Sequence, residues 1–88
     1  MKVRTIEELH DKNVGHKKFA KVVDIAIANG HQISEIKEYN EKFKFVMDNN
    51  YLEYDKHYKA SAKSFVEYCE QIIAQRRKIL LFGNCERK

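Results

Sequence analysis

At 88 residues, with 43% hydrophobic and 34% charged side chains, the chain can build one small core and is too apolar for a disordered segment. A net charge of +4 is mildly basic, short of the extreme of a protein that coats DNA. With three glycines and no proline the usual punctuation of loops is missing, which predicts long helices in place of a many-turned β fold.

The first predicted element opens at "TIEEL". Thr5 is followed three residues later by Glu8, the spacing of a capping box, so a short helix over Ile6 to Asp11 is expected. "DKNVGHK" then interrupts it around Asn13 and Gly15. In the second helix Phe19, Val22, Val23, Ala26 and Ile27 share one face, while Lys17, Lys18 and Lys21 share the opposite one. "ANG" ends this helix, with Gly30 suited to the left-handed position past a C-terminus.

A third helix is expected from Ser34, as N-cap, to about Asp48, burying Ile36, Tyr39, Phe43, Val46 and Met47 and stopping at "DNNY". Phe45 falls far from that face and is expected to be exposed. The fourth and longest helix spans roughly Asp55 to Phe82, with Gly83 and Asn84 as its stop. Its stripe is Tyr58, Ala62, Phe65, Val66, Cys69, Ile72, Ile73 and Leu80. The resulting expectation is an all-α fold: a single-domain, compact helical bundle over residues 1–88, with three main helices and a short N-terminal one.

Arg76 interrupts the last stripe between Ile72 and Leu80. A buried, unpaired guanidinium is too costly to be accidental. The helix can outrun its core there, Arg76 can pair with Glu35, Glu38 or Glu41, or Arg76, Arg77 and Lys78 can form a contact surface with Leu81 and Phe82. Phe45, Leu81 and Phe82 together are candidate apolar anchors for a partner or a second copy.

Charge is segregated along the chain. Residues 12–21 carry four lysines and no acid, residues 24–55 hold seven carboxylates against three lysines, and residues 76–88 hold five cations and one acid. Lysines 17, 18 and 21, lysines 56, 59 and 63, and then Arg76, Arg77 and Lys78 supply the cation density that phosphate contacts use. Tyrosines 51, 54, 58 and 68 could stack on single-stranded bases. A helix-turn-helix over "IAIANGHQISEIKEY" is disfavoured, because its second helix would bring Glu35, Glu38 and Glu41 to the phosphates. Those acids instead suit docking on a protein by complementary charge.

Chemistry has little support. Ser34 and Lys37 match a bare serine–lysine spacing without its companion motifs. His10, His16, His31 and His57 show no metal-ligand spacing with each other or with Cys69 and Cys85, so no metal and no cofactor is expected. Two free thiols, no leader-like apolar segment and no run approaching the ~20 residues of a membrane span point to a cytoplasmic location.

The expectation is a non-enzymatic, small basic binding protein, with neither a membrane nor a small-molecule substrate as partner. Its lysine-rich, proline-free composition fits a stoichiometric regulator or inhibitor of a host macromolecular machine, of the kind phages and mobile elements encode. Arg76, Arg77, Lys78, Lys17, Lys18, Lys21, Lys56, Lys59 and Lys63 would hold RNA, DNA or an acidic partner. The alternative is a purely protein-directed module, homo-oligomeric or an inhibitor of a host protein, whose lysines only keep it soluble.

Overall fold

The computed structural model describes residues 1–13 and 16–86, with side chains described through Lys78. Its elements run β1 (Lys2–Val3), α1 (Ile6–Leu9), α2 (Lys17–Ala28), β2 (Ile33–Glu38), β3 (Lys42–Met47), β4 (Asn50–Asp55) and α3 (Ala62–Glu86). The four strands form one antiparallel sheet in the order β1-β2-β3-β4, with α2 and α3 packed together on one face. This is an α+β arrangement. It replaces the expected helical bundle.

The two N-terminal helices form as expected, except that α1 ends at Leu9, short of Asp11, and Ile27 of α2 is exposed where the buried stripe was expected to include it. Thr5 Oγ1 accepts from Glu8 N–H at 3.1 Å while Thr5 N–H donates to Glu8 Oε1 at 2.8 Å, completing the capping box of α1. His16 caps α2, its Nδ1 accepting the Phe19 N–H at 3.2 Å. At the other end Gly30, at φ +93°, donates to the Ile27 carbonyl at 2.9 Å and His31 N–H to that of Ala26 at 3.0 Å. That is the Schellman closure a glycine favours.

The expected third helix does not form. In "KFKFVM" Phe43, Phe45 and Met47 alternate with Lys42 and Lys44, a period of two that buries one face of a strand. Phe45 is therefore a core residue at 1% exposure and no partner anchor; it packs on Phe19 and Phe65. "DNNY" is a hairpin turn. Asp48 and Asn49 both take positive φ, +50° and +68°, as a two-residue type I′ turn requires. Ser34, expected as an N-cap, lies in β2, so this segment forms no helix-turn-helix.

In β2 the phase is broken by a bulge. Ser34 pairs with Val46 and Lys37 with Lys44, so three residues of β2 span two of β3, and Glu35 sits at φ +53°. The extra residue lets Ile33 and Ile36 both turn toward the helices. β4 continues the alternation, with Leu52 and Tyr54 inside.

α3 begins at Ala62, seven residues later than Asp55, and continues through Gly83 and Asn84 to Glu86. Ser61 opens it, its Oγ accepting the Ser64 N–H at 3.1 Å. Ala62, Phe65, Val66, Cys69 and Ile73 are buried against α2 and the sheet, while Ala74 to Lys78 are exposed. Burial pushes the Cys69 thiol up to about 12, so this cysteine is a packing group with little thiolate character.

Candidate nucleic-acid interface

The nine cations singled out in the sequence do not form one group. α2 and α3 pack so that their N-terminal ends lie together. Lys17, Lys18 and Lys21 line a cleft of about 640 Å³ with Leu9, His10, Asp24, Ser61 and Ala62. Lys59 and Lys63 flank Ser61 and Ala62 along the chain, and both are exposed. The cleft thus joins the lysine face of α2 to the start of α3, with Lys59 and Lys63 its near neighbours in sequence.

Not every lysine there is available. Lys18 Nζ donates to the Tyr58 carbonyl at 2.8 Å and lies 5.4 Å from the centre of the Tyr58 ring, tying α2 to the β4–α3 connection. Lys56 is committed more deeply. Its Nζ pairs with Glu38 Oε2 at 2.7 Å and sits 5.2 Å from the centre of the Phe43 ring, while Arg4 Nε holds the other Glu38 oxygen at 2.7 Å. Burial alone would raise the Glu38 carboxyl; hydrogen bonds from Lys56 and Arg4 outweigh it and hold that group below its ordinary range. Lys56 is thereby a structural lysine. Lys17, Lys21, Lys59 and Lys63 are exposed and make no ion pair among the described residues.

Two features add to the positive character of this end. The first turn of α3 has no acidic side chain, so its unpaired N–H groups and helix dipole are not offset there. The one carboxylate of the cleft, Asp24, accepts from His10 Nε2 at 2.9 Å. That hydrogen bond raises the His10 pKa, favouring the imidazolium beside the cleft. His16, below, is driven the other way by burial and then by Lys56, and stays neutral.

Arg76, Arg77 and Lys78 are elsewhere. They follow Lys63 on α3 by thirteen to fifteen residues, about 20 Å along the axis. Arg76 does not pair with Glu35, Glu38 or Glu41. It is exposed, past the last buried residue, and its Nη1 donates at 3.4 Å to Asn50 Oδ1 and to the Tyr51 carbonyl. Leu81 and Phe82 lie outside the described side chains. The tyrosines do not gather around the lysines either. Tyr54 is fully buried, Tyr58 is half-buried beneath Lys18, and Tyr51 and Tyr68 flank a groove between β4 and the middle of α3.

The sequence reading missed a polar network. His31, after the α2 cap, lies between Asp48 Oδ2 of the hairpin turn and Glu70 Oε2 of α3, the latter at 2.8 Å. Gln32 N–H also donates to Asp48, and Asn29 Nδ2 to Glu70. Hydrogen bonding to Asp48, then to Glu70, raises the His31 pKa; the Gln32 N–H and then His31 lower that of Asp48. Both ring nitrogens are used, so the network clamps α2, the hairpin and α3. No local spacing pointed to it, because the partners of His31 lie 17 and 39 positions away.

Among the described residues no cluster of three histidine, cysteine, aspartate or glutamate side chains is arranged to hold a metal, and no helix is long and apolar enough to cross a membrane. Comparison with protein-family models, with curated proteins and with solved structures found no match.

Proposed function

We propose that the protein acts by binding, and that it attaches to the phosphate backbone of duplex RNA or DNA at the end where α2 and α3 begin. The observation that carries this reading is a cleft lined by Lys17 and Lys21 beside the capped, acid-free N-terminus of α3, with exposed Lys59 and Lys63 on either side of that cap in sequence. Cations on two rigid elements can contact successive phosphates and release their counterions. No strongly exposed aromatic residue lines the cleft, which favours backbone contact over the stacking of splayed bases. In this reading occupancy of the nucleic acid is the activity, as in a stoichiometric regulator.

A gel-shift comparison of charge reversals tests it. Lys17→Glu/Lys63→Glu should weaken binding to a short duplex RNA by roughly a hundredfold at low salt, from two phosphate contacts turned repulsive. Arg77→Glu changes the net charge at the far end and should cost less than roughly threefold. Equal losses in the two variants would mean that net charge alone attracts the nucleic acid. No binding by the unaltered protein would remove the reading.

A further inference from the structure

β4 is the last strand of the sheet, and its outer edge carries unpaired backbone groups. Their identity follows from the hairpin. A two-residue turn makes Met47 and Asn50 a hydrogen-bonded pair, so alternate positions beyond it turn outward, leaving Tyr51, Glu53 and Asp55 toward the open edge. Lys56 N–H donating to Glu41 at 2.9 Å fits this phase, as does Arg76 reaching the Tyr51 carbonyl from outside. The Asp55 carbonyl is taken by Tyr58 N–H. Among the described residues, Tyr51 N–H and both groups of Glu53 have no partner and face the open edge.

Beside this edge runs a groove of about 320 Å³, with Leu52 on one side and Phe65, Tyr68, Cys69 and Ile72 of α3 on the other. Tyr68 stands at 55% exposure on the α3 side of the groove, while the Tyr51 ring, out of phase with Leu52, is exposed on the other face of the sheet. Arg76 lies at one end of the groove and has no carboxylate partner among the described residues. The acid at the edge, Glu53, is already held by Lys42 at 3.2 Å and Lys44 at 3.8 Å. The uncompensated charge of the groove is therefore positive.

We propose that the β4 edge and this groove receive an extended acidic segment of a protein partner, added to the sheet as a further strand. Backbone hydrogen bonds to Tyr51 and Glu53 supply its attachment. Alternate apolar side chains fall between Leu52 and Ile72, and an aspartate or glutamate of the segment meets Arg76. A second copy of this chain is a poorer occupant: the antiparallel register that pairs Tyr51 to Asp55 with its symmetry mate sets Glu53 against Glu53. The site is separate from the lysine cleft, so it stands or falls independently of nucleic-acid binding.

The test selects short random peptides displayed on phage against the full-length protein, then measures a labelled selected peptide by fluorescence anisotropy. Selected peptides should alternate apolar residues and carry an acid at one end. Amide resonances of Tyr51 to Glu53 should move when the peptide is added. Arg76→Glu, a change at an exposed side chain, should weaken the peptide by about tenfold or more while leaving duplex RNA binding and the circular dichroism spectrum unchanged. N-methylation of the peptide backbone at alternate positions should abolish binding. Failure to enrich peptides, shifts confined to other residues, or an unaffected Arg76→Glu variant would each overturn the proposal. So would loss of RNA binding in Arg76→Glu, which would make the groove a nucleic-acid site, or self-association through β4 in sedimentation velocity.

Discussion

Phe45→Ala is the substitution on which a sheet and a helical bundle disagree most. In the sheet the Phe45 ring is 5.4 Å from that of Phe19 and 6.4 Å from that of Phe65, opposite Leu52, at 1% exposure. Truncating a phenylalanine so enclosed costs about 3–5 kcal/mol, from lost transfer energy and the cavity left behind. A domain of this length has roughly 4–13 kcal/mol in all, so the variant is expected to lose a large fraction of its stability. With a urea m-value of about 1 kcal/mol/M, the midpoint should fall by about 3 M or more, read by far-ultraviolet circular dichroism. Lys44→Ala, one residue earlier on the open face, should change stability by less than about 0.5 kcal/mol. A Phe45→Ala midpoint within about 1 M of the unaltered protein would place this side chain on the surface and refute the sheet.

Three further expectations follow from other elements. Asn49→Gly should stabilise the positive-φ turn by about 0.5 kcal/mol, raising Tm by about 2–4 °C in a thermal scan, whereas Asn49→Val should cost at least about 1 kcal/mol; a helix at this position would reverse that order. Lys56→Ala should cost about 1–2 kcal/mol by urea unfolding because it strips Glu38 of a half-buried partner, while Lys59→Ala should cost less than about 0.5, and equal effects would contradict the separation of structural from surface lysines. The pKa of His31 is raised above 6.5 by Asp48 and then Glu70, so its stabilisation is complete below that pH and is lost as pH climbs through the folded value. Urea titrations above pH 6.5 should show unfolding free energy falling, with a shallower fall in His31→Gln; an unchanged slope would leave the effect to His10, also raised, by Asp24.

What was legible in the sequence was local. The Thr5/Glu8 box, the Gly30 closure and the α2 stripe depend on neighbours along one helix; the first two hold, and the stripe holds except at Ile27, which is exposed. The stripe from Ala62 to Ile73 was also readable. The strands were misread for a physical reason: Ile36, Tyr39 and Phe43 follow one another at spacings of three and four, imitating a helix. Phe43, Val46 and Met47 can likewise be joined at spacings of three and four, although Lys42–Phe43–Lys44–Phe45 alternates. Absence of proline also misled, since the Asp48–Asn49 turn uses left-handed asparagine-type residues instead.

The lysines were legible as candidates, but their grouping was not. That Lys17 and Lys21 line a cleft with Ser61 and Ala62, between Lys59 and Lys63 in sequence and well away from "QRRK", depends on how α2 packs across α3. No spacing within either segment encodes that crossing. The His31 clamp is non-local in the same way, drawing partners from residues 17 and 39 positions away.

The most direct test of the central claim is the salt dependence of duplex RNA binding, followed by anisotropy for the unaltered protein and two variants. Four phosphate-contacting lysines give a slope of log K against log salt of about −3 to −4. The Lys17/Lys21/Lys59/Lys63→Ala variant should lose that binding, and Arg76/Arg77/Lys78→Ala should keep both affinity and slope. The opposite pattern, with binding lost only when Arg76, Arg77 and Lys78 are removed, would contradict attachment at the α2–α3 cleft.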